Sequence, residues 1–538
     1  DAHLVVMPPV RRPVGRPLGT PRQVAYEGVE APRGNRQWLG IMIVAAVLAG
    51  CSDDPSPPDR PPATAQAPAS GSPQGSAAVT QPVEERTVDA AGDELVVGVE
   101  PLVRQGEAVV LTVRVRLVEG SAVVSRHFSS GTVNVFDGAR LVDTEGRRVY
   151  PVAENDRGGC VCTGSLRLRT GEMQPLQAVY AGVPATVERV SVMLPYAGVF
   201  ADVPIVAGAV PAPPSGGDLL GRDYDALEAG DAVARSAALE AYTERLDVGL
   251  RTRRTPDRVD LELSSDVLFR VDSAELTGQA RRTIDAAVAD VRAAGAGPLT
   301  ITGHTDDRGT DAHNRGLSQR RAEAVAAVLR GPLPEDRYPQ RVAAKGESAP
   351  AVPNDSAANR ARNRRVTISF QAGRPATPSP AAQAPLPATK GRTGKADKGV
   401  EVALPLGRGT VRFTARPATV RGAFVQVDLV ATTVGDRDVA IHDLLGQGVF
   451  TARDEFDPYA PFGAAGVRML AGDTAAYGLD YELTESKHQC LCDRMLNRKL
   501  PPGSSQTIAL WFPAPPAGTT ELTLDVPDKL RLTGVPIA

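Results

Sequence analysis

Aromatic residues are scarce in this 538-residue sequence, where Phe, Tyr and Trp together make up 4%. With 46 prolines and 52 glycines beside them, the chain is suited to long linkers and modest cores. Its length is too great for one core and implies three or four domains. An excess of charge of one sign is lacking too: 60 basic residues face 63 acidic ones, for a formal net charge of −3, so no basic field recommends nucleic acid as a partner. Catalytic signatures are missing. There is no H-E-x-x-H, no G-x-S-x-G, no P-loop and no second carboxylate set suited to glycoside cleavage, so the reading is a non-enzyme without cofactor or metal. Cysteine is rare, with five residues, and their placement is informative.

No apolar run is long enough to span a bilayer comfortably. Residues 39–50, LGIMIVAAVLAG, have the length of a signal-peptide h-region and follow Arg33 and Arg36. The run ends in Leu48-Ala49-Gly50-Cys51, which resembles the lipobox of bacterial lipoproteins; that resemblance implies lipidation of Cys51, which becomes the mature amino terminus. Residues 1–50 therefore read as leader and lipoprotein signal peptide, with the part before about Asn35 expected to be over-called upstream sequence. Residues 51–92, rich in Pro, Ser, Ala, Gly and Gln, read as the lipidated Cys and a disordered tether. Such a tether reaches roughly 35 Å as a coil and about 120 Å as polyproline II.

Residues 93–210 turn to β patterning: VVLTVRVRLV alternates over 109–118, and VERVSVMLP repeats the habit after a turn. The expectation is a β-sandwich, and its outline recurs at 400–538. In the first copy GARL is followed by Tyr150, Cys160-Val161-Cys162 and Val203-Pro204-Ile205. In the second, GVRML is followed by Tyr481, Cys490-Leu491-Cys492 and Val535-Pro536-Ile537. The separations from the second Cys to VPI are 41 and 43 residues, which points to an internal duplication. For Cys160, Cys162, Cys490 and Cys492 in an exported chain, a bridge within each C-x-C pair is the favoured reading. Cross-pairing, free thiols and a soft metal or redox role are the alternatives, and His488 is a solitary neighbour of the second pair.

Residues 211–258 read as a linker and helical spacer, with Leu227, Val233, Ala237, Leu239, Tyr242 and Leu246 as apolar points of a helix over 224–250. Residues 372–399 read as a second, Pro/Ala-rich linker. Between them, 259–371 combines strands with a helical stripe at Leu276, Ala280, Ile284, Val288 and Val291, giving an α+β sandwich. The fold class is thus multidomain, with a central α+β domain flanked by two related all-β domains and disordered linkers.

The chemistry concentrates at 299–329. Leu299, Ile301 and Gly303 alternate with Thr300 and Thr302 as a half-buried strand, and a polar turn follows. Ser318 reads as the N-cap of a helix whose apolar stripe is Ala322, Val325, Val328 and Leu329. Asp306 would then lie at the strand's exit and Arg321 in the first helical turn, where a cation opposes the macrodipole. Such a pair could hold the ammonium and carboxylate of a zwitterion. The blander readings are a plain salt bridge for this pair and a turn-capping role for His304; a metal at His304, Asp306, Asp307 and His313, or a hydrolase using Ser264 or Ser265, lacks supporting spacing.

The motifs GHTDDRG, Asn314, Leu317-Ser318, Arg320-Arg321-Ala322 and Ala324-Val325 closely resemble the OmpA-like carboxy-terminal domain of outer-membrane proteins, peptidoglycan-associated lipoproteins and flagellar stator proteins. LFRVDSAEL, with Phe269, Ser273 and Leu276, precedes them; KGES, Pro350, Asn354 and NRRV follow, so the resemblance runs from about Val259 to Phe370. It implies non-covalent binding of peptidoglycan through the diaminopimelate of the stem peptide. The gripping acid and arginine fall on Asp306 and Arg321, with Thr305, Gly309 and Asn314 lining the pocket. His313 departs from the family, which usually has an aromatic there. The expected protein is an extracytoplasmic lipoprotein on a membrane, the outer one in a diderm organism, tethering that membrane to the wall. The alternative is a scaffold or receptor of a surface or secretion complex whose β domains bind an envelope protein.

Overall fold

The structure is a computed structural model that describes residues 81–131, 134–156, 158–214, 233–373, 386–446, 462–484, 487–494 and 498–538. The signal peptide, Cys51, most of the tether, the first part of the spacer and residues 374–385 of the second linker lie outside the described residues. Among those described, no helix is long and apolar enough to cross a membrane.

Both β stretches begin earlier than composition implied. Strand Glu84–Ala90 pairs antiparallel with Asp93–Val99, inside the segment that reads as tether. Its residues EERTVDA bury little beyond Ala90, and a charged, polar strand of this kind suits a sheet edge. Likewise Arg392–Lys395, inside the second linker, adds in parallel beside Leu530–Pro536.

One order of pairing recurs in the two stretches. In the first, Glu84–Ala90, Asp93–Val99, Ala108–Leu117 and Leu102–Gln105 lie side by side, and Met173–Ala181 also pairs with Ala108–Leu117. In the second, Val400–Ala403, Thr410–Ala415, Phe424–Val434 and Thr419–Arg421 follow the same path, with Ser505–Pro513 on Phe424–Val434. The VPI strands, Gly198–Ala207 and Leu530–Pro536, each form a hairpin with the strand before them. Leu141 pairs with Tyr150 where Met469 pairs with Ala476, so the counterpart of Tyr150 is Ala476 and not Tyr481. Each C-x-C pair is bonded, with Cα atoms 5.4 Å apart for Cys160 and Cys162 and 5.2 Å for Cys490 and Cys492. That is closer than residues two apart in a straight strand. In both stretches the second cysteine bridges the long strand behind it, Cys162 to Ala178 and Cys492 to Leu510.

The two stretches do not stand apart on either side of the central domain. Their apolar side chains form one cluster, in which Leu111, Phe128 and Tyr180 of the first share a core with Phe413, Leu429 and Phe512 of the second. A second cluster joins Val142, Val149 and Met193 to Tyr481, Leu491 and Trp511. Polar groups cross as well: Arg140 donates to the carbonyl of Cys492 at 2.9 Å, and the Ser505 amide donates to Asp89 at 2.7 Å. The physical reason is visible in the strands. All of residues 95–99 and 507–512 are buried, the mark of strands covered on both faces.

The expected helical spacer is a β strap over its described part. The Val233 amide donates to Glu154 O at 2.8 Å and that of Leu239 to Arg147 O at 2.9 Å. Seven residues on, Glu240 donates to Asp480 O at 2.7 Å and Leu246 to Asp473 O at 2.9 Å, so the strap docks the same way on both copies. Ala237 and Leu239 are buried in one phase, Glu240 and Tyr242 in the other. The slip of phase between Leu239 and Glu240 leaves Leu239, Tyr242 and Leu246 three and four residues apart, which imitates helical spacing.

Strand Ala241–Arg245 then turns back through Gly249, at φ +63°, into Leu250–Arg254 and Arg258–Ser264. The central domain therefore starts near Val248, whose side chain joins its core, and not at 259. From the outer edge its strands run Gln340–Gly346, Leu299–His304, Arg365–Gln371, Arg258–Ser264 and Leu250–Arg254; beyond them Ala241–Arg245 pairs with Thr474–Tyr477, so the sheet continues into the second β stretch. Helices Ala280–Ala294 and Asp311–Leu329 bury Ile284, Val288, Val291, Ala322, Val325 and Leu329 against Leu261, Leu263, Ile301 and Ile368. Each Val, Leu and Ile among them contributes about 1.5–3 kcal/mol by leaving water.

A chain cut after residue 373 should lose the half of the shared core supplied by the second stretch. Limited proteolysis should then degrade residues 84–214 as readily as unfolded chain; a protected fragment of that span would contradict a common core.

Candidate functional site

Strand Leu299–His304 can carry a helix at close range because Gly303 has no side chain: a Cβ there would sit 2.0 Å from the Ser318 carbonyl oxygen. The chain leaves the strand through Thr305 and Asp306 and turns at Gly309, whose φ of +101° is open chiefly to glycine. Thr310, not Ser318, caps the helix, its hydroxyl accepting from the His313 amide at 3.3 Å. Ser318 lies inside the helix and fully buried, donating to Arg315 O at 2.9 Å and accepting from the Gly346 amide at 3.0 Å. It ties the helix to strand Gln340–Gly346. Arg321 consequently sits in the helix interior, and its charge does not oppose the macrodipole at the first turn.

Asp306 and Arg321 are both buried and make no ion pair with each other. Asp306 Oδ2 accepts from Arg364 Nη1 at 2.6 Å and Oδ1 from the Arg308 amide at 3.2 Å. Arg364 also grips Asp266 through Nε at 2.8 Å and Nη2 at 2.6 Å, and these hydrogen bonds raise its pKa above the ordinary guanidinium value. Arg321 Nε donates to Ser273 O at 2.9 Å, and its guanidinium carbon lies 5.3 Å from the centre of the Phe269 ring. Burial lowers the Arg321 pKa against the pull of the Asp266 and Asp272 carboxylates; the group remains a cation at any physiological pH.

Of the other expected pocket residues, Asn314 is buried and donates to Asp306 O at 3.3 Å and to Glu347 Oε2 at 2.6 Å, fixing the turn from behind. Thr305 is 3% exposed, and its hydroxyl has no hydrogen-bond partner among the described residues. The four residues weighed as a metal set face different partners: Asp307 pairs with Arg360 at 2.9 Å, His313 lies 3.0 Å from Asp272 at the exposed rim, and Asp306 is held by Arg364. His304 is buried, and burial together with the charges of Arg365 and Lys345 pushes its pKa down to about 3, despite a hydrogen bond to the Ala349 backbone.

Residues 268–364 match the model of the OmpA family. Over 165 residues the chain is 31% identical to the peptidoglycan-associated lipoprotein of Pseudomonas putida, covering 30% of this chain and 90% of that protein. The chain belongs to the OmpA family. It is also 32% identical to outer membrane protein A of Bordetella avium, over 23% of this chain and 63% of that one. The match to the outer-membrane lipoprotein YfiB of Pseudomonas aeruginosa, at 36%, spans 62% of that relative, so the chain covers slightly less than two thirds of each of these two. Among solved structures, the cell wall anchor of the T6SS from Pseudomonas aeruginosa is similar at 30% identity, over 23% of this chain and 87% of that one, with a TM-score of 0.21.

Within this OmpA-family site, sequence reasoning left Arg364, Asp266, Glu347 and the stacking role of Phe269 without a part. The signal for three of them was present in NRRV, KGES and LFRVDSAEL, each close to the site only after folding.

The depressed His304 pKa has a definite sign for stability. Unfolded, the imidazole takes its proton near pH 6.5, while the folded chain resists until about pH 3. The stability from the neutral buried ring is therefore complete above 6.5 and falls as pH drops toward 3, by up to about 1.4 kcal/mol per pH unit. Urea unfolding between these limits should show a shallower decline for His304→Asn than for the parent.

Proposed function

We propose that this protein is a cell-envelope lipoprotein that binds peptidoglycan non-covalently and tethers a membrane to the wall. The observation that carries the reading is the Arg321 guanidinium, 5% exposed and positioned by Ser273 and Phe269, whose Nη atoms make no hydrogen bond among the described residues. A buried cation whose Nη donors are in reserve and a buried Thr305 hydroxyl without a partner among the described residues are costly to maintain without a ligand that uses them.

Diaminopimelate fits the chemistry. Its carboxylate takes the free edge of Arg321, and its side-chain ammonium takes lone pairs of Asp306 that Arg364 and Arg308 leave available. Thr305, Gly309 and Asn314 line the pocket. Arg364 holds the acid in place, so that the grip is preorganised and little side-chain entropy is lost on binding. One such grip is modest, but a lipid at Cys51 and a polymeric ligand make rebinding effectively intramolecular. The membrane is the outer one in a diderm cell. No catalytic step is required of the site, and the names of its relatives, outer membrane protein A and peptidoglycan-associated lipoprotein, agree with an envelope role.

Sedimentation with purified sacculi tests the assignment in the full chain. Asp306→Ala and Arg321→Ala should each reduce the bound fraction at least tenfold at limiting sacculus concentration, with unfolding midpoints close to the parent. Variants that remain folded and sediment like the parent would sink the proposal.

A further inference from the structure

The geometry points to a second site, for a divalent transition-metal ion of the zinc class, where the strap crosses the second β stretch. Glu240, Asp480 and His488 are 8%, 1% and 3% exposed, and each offers a ligand atom within 4.8 Å of the others. Their convergence follows from register. Glu240 and Asp480 face each other across a backbone bridge, with amide-to-carbonyl distances of 2.7 and 3.1 Å. In the next strand pair, Glu482 stands opposite His488 and Asp480 opposite Cys490. Residues directly opposite, and residues two apart on one strand, share a face, so three carboxylates and an imidazole emerge on one side of three adjacent strands.

The imidazole is oriented as a ligand's would be. His488 Nδ1 lies 3.4 Å from Asp480 Oδ2, toward the cluster, while Nε2 points to Glu482 at 3.9 Å. A metal-bound histidine ordinarily presents its second nitrogen to a carboxylate, which fixes the tautomer and raises its basicity. Arg253 grips Glu240 at 2.8 and 3.1 Å, holding that carboxylate in place. One nitrogen and two oxygen donors suit zinc, with a fourth position left for water.

The duplication supplies an internal comparison. The counterpart of Asp480 in the first copy is Glu154, which also bridges the strap and also pairs with the first cysteine of its C-x-C. There the strap presents Val233 in place of Glu240 and Arg235 in place of Tyr242, and Arg235 pairs directly with Glu154. Gly158 stands where the second copy has His488. The first copy thus settles one carboxylate with one guanidinium. In the second copy Tyr242 replaces that guanidinium on the strap, and a second carboxylate and an imidazole converge on the same point, with Arg253 on Glu240.

Zinc sulfate added to the chelator-treated full chain is the probe. Calorimetry should show one saturable equivalent per chain and a raised thermal midpoint, with affinity falling at least tenfold in His488→Ala and in Asp480→Asn. Cobalt substituted in the parent should give the absorption of a nitrogen and oxygen site of low coordination number, a readout that does not depend on any variant folding. Absence of saturable binding, an unshifted midpoint, or unchanged affinity in folded His488→Ala would overturn the site. Sacculus binding lies outside this test, so its failure leaves the wall-binding reading untouched.

Discussion

Backbone pairing by one short segment organises this molecule. The 233–245 strap lends its amides first to the edge of one β copy and then, seven residues later, to the equivalent edge of the other. Because its last strand also turns straight into the central domain, the three parts share hydrogen-bonded sheet instead of being strung on linkers. A sheet edge is a row of unmet donors and acceptors. Here one segment covers two such edges, and the chain's own duplication supplies both. The buried cluster of Glu240, Asp480 and His488 lies at the point where the strap enters the second edge, so pairing and chemistry meet there.

The candidate site obeys a related economy of position. Gly303 allows the helix to lie against its strand, Ser318 fastens that helix to the neighbouring strand, and Asn314 braces the turn. None of these side chains reaches outward. Asp306 at the turn and Arg321 on the helix are each restrained by a different partner, Arg364 for the acid and Phe269 with Ser273 for the base. The acid and the base thus make no ion pair with each other, and each is held through its own partners.

Much of this was legible beforehand, and the gaps have physical causes. The helices over 280–294 and around 322–329 and the strand at 299–304 were readable because each buries a single face with its own period. The position of Asp306 just past that strand and of Arg321 on the helix was readable from spacing. The start of the helix was not, since Thr310 and Ser318 are equally good caps in isolation and only the packing at Gly346 shows which is interior. Arg364 was hidden because its two acids lie 58 and 98 residues away in sequence. The strap failed for a subtler reason: a strand that changes partner partway changes phase, and its apolar points then mimic a helix. The common core of the two β stretches was not legible in the alternation of Ala108–Leu117; its sign is the uninterrupted apolar run 508–512, which is covered on both sides.

The continuity of the sheet through Ala241–Arg245 and Thr474–Tyr477 has a mechanical meaning. A domain hung on a flexible linker turns freely and lets its load pass through a single strand of chain. Here the turn at Gly249 is too short to act as a swivel, and the edge that carries the pocket is joined laterally, strand by strand, to the body behind it. Any tension on the edge that carries Asp306 would be spread over rows of hydrogen bonds. The central domain and the second β stretch are built to bear strain as one plate.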